Sequence, residues 1–229
     1  MPGTALIVTV IGVGSTARVQ VGPNATVSQY ITRVYSDLFG RVPDPTGLQT
    51  WTTALGAGTP RIAVANAITY STEYRSGLIG MAYHDFLARA PEPAGLASWL
   101  AAMNRGLTIE QMEGGFLASP EYYAQSGGTA AGWVNRLYLH VLGRTAAPSE
   151  VASWVSHLAA TGDKFGVSMG FLLSTERLST VVDGQYVLLL GRHIDPSGRQ
   201  TWVGLIQRGA RDEAIIGGII ASDEYYARP

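Results

Sequence analysis

Four tryptophans in equivalent sequence contexts are the residues of this chain best suited to bind a ligand. Each belongs to a motif in which a Tyr lies five positions before a Gly or Ala, an Arg follows that small residue, and the Trp lies eleven positions beyond it. A row of exposed indoles could stack on sugar rings, whereas indoles placed between helices anchor a core. Identical placement in every copy favours the core position for Trp51, Trp99, Trp154 and Trp202.

An Arg and a Glu are the only charged residues that recur in all four copies of the motif. They could bind an anion at each copy, or they could form a partly buried ion pair that ties the end of one helix to the start of another. We expect the ion pair, because the arginine fork can serve a carboxylate and backbone carbonyls together. The predicted structural anchors are Tyr35, Arg41, Trp51 and Glu73 (copy 1), Tyr83, Arg89, Trp99 and Glu121 (copy 2), Tyr138, Arg144, Trp154 and Glu176 (copy 3), and Tyr186, Arg192, Trp202 and Glu224 (copy 4).

The elements that position these residues are helices. In copy 1, apolar residues recur every three or four positions from Val27 to Phe39, and Gly40 is placed to end that helix in the left-handed conformation. Arg41 is then able to reach back to the last helical carbonyls. Asp44 and Pro45 form an N-cap and a first helical position. A third helix follows, and a Ser with a Glu two positions later begins the next one.

The spacing of the copies predicts the domain organisation. The small residues at 40, 88, 143 and 191 are 48, 55 and 48 positions apart, so the copies read as two pairs separated by the Gly/Ala-rich segment 124–132. We expect an all-α protein of four tandem three-helix repeats of about 50 residues. Residues 25–125 would form one pair and residues 126–229 the other, with short turns linking the copies. Trp133 is expected in the core.

Residues 1–24 differ from the rest of the chain. The stretches "ALIVTVIGV" and "ARVQVGP" are rich in β-branched residues and are separated by Gly and Ser, which predicts a short β-hairpin or strand segment. A lone hairpin is only marginally stable. The segment therefore either packs on the helices or belongs to a preceding β domain.

Composition excludes several functional classes. The net charge of −1 and the scattered arginines give no case for nucleic-acid binding, and the absence of cysteine excludes disulfides, zinc thiolates and a cysteine nucleophile. No apolar run approaches the ~20 residues of a membrane span, so we expect no membrane insertion. We also expect no cofactor.

Catalytic and metal-binding patterns are weak. The four histidines form no H-x-x-x-H or H-E-x-x-H motif, and there is no Gly-x-Ser-x-Gly. His84 and His140 are expected to pack beside apolar helix faces. Asp44, Glu92 and Asp195 each supply one carboxylate next to a proline, which is poor coordination for a calcium ion that takes six to eight oxygens. We therefore expect no metal and no enzymatic activity; an enzyme of unrecognised type is the least favoured alternative.

The motif resembles a known family. The pattern Tyr-x-x-Leu-Phe-Gly-Arg-x-Pro-Asp-Pro-x-Gly-Leu-x-x-Trp, followed by Ser-x-Glu-Tyr, is similar to the bacterial repeat catalogued as domain of unknown function 4214, which in turn resembles the helical linker domain of phycobilisomes. The resemblance covers about residues 28–229. It implies an all-helical module of secreted or cell-surface bacterial proteins, without a general catalytic role. Copy 3 departs from the pattern at Ala147, Glu150 and Arg177.

The expected function is that of a non-catalytic extracellular or cell-surface interaction module whose partner is an envelope glycan or a protein. The alternative is a self-assembling structural protein of a surface layer, filament or phage virion, and hence a homo-oligomer. Loop tips are the usual binding positions on a helical scaffold. The tips between the second and third helices are expected to line one face, with Thr59, Asn104, Arg105, Lys164, Arg208 and Arg211 as candidate contacts.

Overall fold

The computed structural model describes residues 26–228, which form helices joined by short loops and contain no strand. This confirms the all-helical prediction for that part of the chain. The predicted β segment at residues 1–24 lies outside the described residues. The helices are α1 (Val27–Phe39), α2 (Pro45–Gly56), α3 (Arg61–Thr69), α4 (Thr72–Leu87), α5 (Pro93–Asn104), α6 (Ile109–Leu117), α7 (Pro120–Gln125), α8 (Ala130–Leu142), α9 (Pro148–Thr161), α10 (Lys164–Leu172), α11 (Thr175–Leu190), α12 (Pro196–Gln207), α13 (Asp212–Ala221) and α14 (Asp223–Tyr226).

The local signals at the helix ends act as predicted. Gly40 adopts φ 65° after α1, and Asp44 accepts a hydrogen bond from the Gly47 amide at 2.9 Å at the start of α2. Copy 2 places Ala88 in the same left-handed conformation, with φ 55°, which a side chain disfavours. In copy 3 Ala147 has no side chain to cap α9 in the way that Asp44 caps α2, and the Glu150 carboxylate instead accepts a hydrogen bond from the Ala147 backbone amide at 2.8 Å.

The connections between copies differ from the prediction of short turns. Ser71 caps α4, which then continues without interruption into the first helix of copy 2, and α11 joins copies 3 and 4 in the same way. The shorter 48-residue spacing leaves no residues for a turn. Only between copies 2 and 3 does the longer spacing separate two helices, α7 and α8, and there Gly127 and Gly128 take positive φ values.

The contacts divide the chain into two compact units. The middle unit contains Ser76–Val181 and Val203–Gly209, and so holds copies 2 and 3 with a short piece of copy 4. The terminal unit contains residues 26–75, Val182–Trp202 and residues 210–228, and so holds copy 1 and most of copy 4. The sequence-based division into residues 25–125 and 126–229 is a different grouping, and it stays a prediction.

The middle unit is built around the pairing of two third helices. Helix α6 of copy 2 packs on α10 of copy 3, and α8 packs on both α9 and α10. Gly114 of α6 lies directly under Phe165 and Met169 of α10, where a methyl group would come within 2.9 Å of the Met169 sulfur. Trp133 is fully buried and donates its indole N–H to the Leu117 carbonyl at 2.8 Å, which confirms its predicted core position.

The terminal unit repeats this pairing with the other two copies. Helix α3 of copy 1 packs on α13 of copy 4, and Gly217 of α13 lies against Asn66 of α3. The Thr69 hydroxyl donates to the Glu213 carbonyl at 3.0 Å, and the buried Tyr30 hydroxyl donates to the Ile220 carbonyl at 3.0 Å. In both units an odd-numbered copy therefore packs on an even-numbered one through its third helix.

Candidate functional site

The predicted Arg–Glu pairs form in all four copies, always between residues 32 positions apart. Arg89 and Glu121 approach to 2.8 Å, Arg144 and Glu176 to 2.7 Å, and the equivalent pairs Arg41–Glu73 and Arg192–Glu224 are also in contact. These side chains are about half exposed, so the pairs contribute less to stability than buried ones would.

The electrostatics of these pairs follow from hydrogen bonding. The bond from Arg89 holds the pKa of Glu121 below its ordinary value, and Arg192 does the same for Glu224. In copy 3, Arg144 also binds Glu150 and lowers the pKa of that carboxyl group to about 2. Arg41 donates to the Val42 carbonyl at 3.0 Å, as well as to Glu73, and not to the last carbonyls of α1 as predicted.

A tyrosine and a tryptophan complete each cluster. Each repeated guanidinium lies over the ring of the Tyr of its own copy, at 4.7–5.3 Å from the ring centre. In copies 1, 3 and 4 the indole N–H of the Trp donates to that Tyr hydroxyl at 3.0–3.2 Å. In copy 2, Trp99 instead stacks on Phe116 with 5.1 Å between ring centres. The predicted anchors thus form one Glu–Arg–Tyr–Trp cluster in copies 1, 3 and 4, and in copy 2 Phe116 joins the Tyr83 and Trp99 rings of the equivalent cluster.

The four indoles are only half-buried, which differs from their predicted core position. Each Trp is followed sixteen positions later by a small residue of the third helix, namely Ala67, Gly115, Gly170 or Gly218. A methyl group on Gly115 would come within 2.7 Å of the Trp99 ring, and one on Gly170 within 3.2 Å of the Trp154 ring. This constant spacing of sixteen residues is a sequence signal for an indole that packs against the third helix of its own copy, and it lies outside the predicted motif. It leaves these two indoles against a helix and not free as stacking platforms.

Buried ion pairs, which the sequence analysis did not predict, lie at the helix crossings. In the terminal unit the fully buried Glu213 pairs with Arg75 at 3.1 Å and with Arg211 at 3.6 Å, and both guanidinium groups lie over the Tyr70 ring. In the middle unit Glu113 lies 3.8 Å from Arg177. The available signal was a glutamate close to the run of apolar and glycine residues in each of these two third helices.

The candidate loop residues have different surroundings. Asn104, Arg105 and Arg208 are exposed, and Thr59 is half-buried before α3. Lys164 lies over the Tyr123 ring at 4.6 Å, and Arg211 belongs to the buried Glu213 cluster, which argues against its predicted role as a loop contact. The prediction that these residues line one face stays a prediction.

Arg105 and Arg208 stand apart from the other described arginines. Both lie six positions after the Trp of an even-numbered copy, each is followed by a glycine with positive φ, and neither forms an ion pair or ring contact among residues 26–228. Every other arginine in that range is engaged, and the partners include carboxylates, aromatic rings and carbonyls.

The part of the chain that the structure describes offers neither a cluster of metal ligands nor a membrane-spanning helix. It holds no group of three or more His, Asp or Glu side chains arranged to bind a metal ion. Asp44 and Asp195 cap helices, and Glu92 pairs with Arg89. His84 is exposed beside Asp85, so its predicted packing position is wrong. None of these helices combines the length and apolar character needed to cross a membrane.

Comparison with known proteins identifies one family. The family model described as domain of unknown function (DUF4214) matches three segments, residues 15–78, 75–126 and 114–181. No curated protein and no solved structure matches the chain.

Proposed function

Because the chain belongs to the DUF4214 family, whose function is unknown, we propose a function from its own residues: it is a non-catalytic interaction module that binds an acidic glycan of a cell envelope. The observation that carries this proposal is the pair of exposed arginines, Arg105 and Arg208. They occupy the same position in copies 2 and 4, at tips between second and third helices.

Ligand binding depends on which side chains are not already engaged in contacts within the chain. The Glu–Arg–Tyr–Trp clusters use the aromatic and charged side chains of the motif for contacts within each copy. Arg105 and Arg208 lack such contacts, and a guanidinium can bind a carboxylate or sulfate through two parallel hydrogen bonds. With a net charge of −1, the chain as a whole does not attract anions, so recognition depends on these local groups.

The proposed architecture is four repeats on an extracellular or cell-surface protein. The family matches end at residue 181, but copy 4 carries the same cluster, formed by Tyr186, Arg192, Trp202 and Glu224. This recurrence supports counting a fourth repeat. The location follows from the proposed envelope partner, and self-assembly remains the alternative.

A glycan array carrying carboxylated, sulfated and neutral glycans tests the proposal. We expect binding to acidic glycans that weakens as salt is raised and that falls at least tenfold in the double variant Arg105→Ala/Arg208→Ala. The matched variant Ala57→Arg/Ala160→Arg places arginine at the exposed positions six residues after the Trp of copies 1 and 3, of which position 160 lies in the last turn of α9, and it should bind acidic glycans more strongly.

The controls separate loss of binding from loss of folding. All variants should keep the helical circular dichroism signal and the urea midpoint of the unmodified protein, because these tip residues make no described ion pair or ring contact. Equal binding by the double variant and the unmodified protein would contradict the proposal. Capture of an envelope protein, with no glycan bound, would favour a protein partner instead.

A further inference from the structure

The terminal unit is assembled from the two ends of the chain. Copy 1 and copy 4 meet there without a connecting segment of their own, whereas copies 2 and 3 of the middle unit are linked directly by residues 126–129. Arg33 of α1 nevertheless donates to the Tyr225 carbonyl at 2.8 Å, and Tyr225 donates to Asp37 at 2.9 Å. Helix–helix pairing in this fold therefore does not require a short covalent link between the partners.

The two units use matched sets of side chains. The odd-numbered copy supplies Asn66 or Met169 at the helix crossing, and the even-numbered copy supplies Gly217 or Gly114. The buried ion pairs also join an arginine of the odd-numbered copy to a glutamate of the even-numbered one, Arg75 to Glu213 and Arg177 to Glu113, although these residues do not occupy equivalent positions in the repeat. The same division holds for the arginine over a tyrosine ring: Arg33 with Tyr225 and Arg136 with Tyr122.

We propose that copy 1 of one molecule pairs with copy 4 of a second molecule, so that a second copy of this chain is a binding partner. The contact joins two different surfaces, and such a contact can be made within a chain or between chains. Effective concentration decides between the two, since the pairing within one chain competes with the pairing between molecules.

The composition of the interface gives separated ends a strong tendency to pair again. Ile216 and Ile220 of α13 are buried, as are Glu213 and the 3% exposed Arg33. Separation would expose the apolar side chains to water and would break the ion pairs at Glu213. At high protein concentration the free ends of different molecules are then available to each other. This proposal is independent of the glycan-binding role of Arg105 and Arg208.

Disulfide trapping tests the exchange, because the chain has no cysteine of its own. The single variants Asn66→Cys and Gly217→Cys are mixed, unfolded in urea, refolded together at high concentration and oxidised. A methyl group on Gly217 would clash with the Asn66 amide oxygen, and Asn66→Cys removes that atom. We expect a covalent heterodimer whose yield rises with protein concentration. Neither variant should form a covalent dimer when it is oxidised alone.

The middle unit provides the matched control. Mixtures of Met169→Cys and Gly114→Cys occupy the equivalent crossing of α10 and α6, where residues 126–129 keep both partners in one chain, and they should give no heterodimer. The double variant Asn66→Cys/Gly217→Cys, oxidised when dilute, should form the bond within one chain, which verifies that the two sulfurs meet.

The outcomes distinguish the proposal from other associations. A heterodimer in the first mixture alone, with a dimer or larger species of the unmodified protein detected by light scattering after refolding at high concentration, supports it. Heterodimers in both mixtures indicate unspecific contact and overturn it. A strictly monomeric unmodified protein without trapping in the first mixture also overturns it, whatever the result of the glycan array.

Discussion

The middle and terminal units use one pairing scheme with different polar interiors. In the terminal unit Glu213 lies at 3.1 Å from Arg75, and the Tyr225 hydroxyl donates to Asp37. In the middle unit the buried pair of Arg177 and Glu113 is longer, at 3.8 Å, and uses other positions of the repeat. The buried Tyr122 there lies edge-on to His140 instead of an acid. The comparison teaches that glycine and helix geometry define the pairing, while buried charges differ from one copy of the interface to the other.

The largest difference between the units should come from removing the charge of Glu213. In Glu213→Gln, the buried Arg75 and the partly buried Arg211 lose their carboxylate, and we expect the free energy of unfolding to fall by about 3–5 kcal/mol. Glu113→Gln removes the carboxylate of the buried ion pair in the middle unit, at a position three residues further along its third helix, and it should cost less because that ion pair is longer. Urea unfolding followed by circular dichroism measures both. Equal losses would show that the two buried pairs are equivalent.

The connection between copies 2 and 3 offers a second test. A methyl group at Gly132 would lie 2.3 Å from the backbone oxygen of Ser126, so Gly132→Ala must shift the backbone before α8. We expect a loss of about 1–3 kcal/mol in the free energy of unfolding. Gly47→Ala is the matched control, since its nearest neighbours are side-chain atoms at 3.2 Å or more. A neutral Gly132→Ala variant would mean that the connection is not tightly packed.

His140 of the middle unit should make stability depend on pH. Burial, with a smaller contribution from Arg136, lowers the pKa of His140 from 6.5 to about 4, while Asp85 opposes the shift. Between these two pKa values the unfolded chain binds a proton at His140 that the folded chain does not bind. The contribution of the neutral His140 to stability is therefore complete above pH 6.5 and is lost as the pH falls towards 4. Urea midpoints measured from pH 7 to pH 4 should fall less steeply for His140→Gln. An identical slope for both proteins would exclude His140 as the cause.

The smallest effect is expected at the left-handed helix ends. Ala88 occupies the position that glycine fills in the other three copies, so Ala88→Gly should stabilise the protein by about 1 kcal/mol. The reverse change, Gly143→Ala, should destabilise it by a similar amount. Thermal unfolding of both variants provides the measurement. A destabilised Ala88→Gly variant would mean that the methyl group makes contacts worth more than the backbone strain.

Much of the local structure was predictable from the sequence because helix starts and ends depend on neighbouring residues. Asp44 and Ser71 cap helices as predicted, and Gly40 ends one. The constant spacing between Arg41 and Glu73 and their equivalents also predicted the ion pairs. The continuous α4 was not predicted, because the Ser-x-Glu signal marks where a helix begins and no local signal tells how far that helix continues.

The sequence by itself determined the helices, their caps and the residues of the Glu–Arg–Tyr–Trp clusters, since these depend on geometry within one copy. Only the tertiary structure decided which copies pack together, how far each indole is buried, and that Arg211 belongs to a buried cluster with Glu213. The reason is physical: pairing depends on how Gly217 fits Asn66 across more than a hundred residues of chain, and no local pattern records that fit.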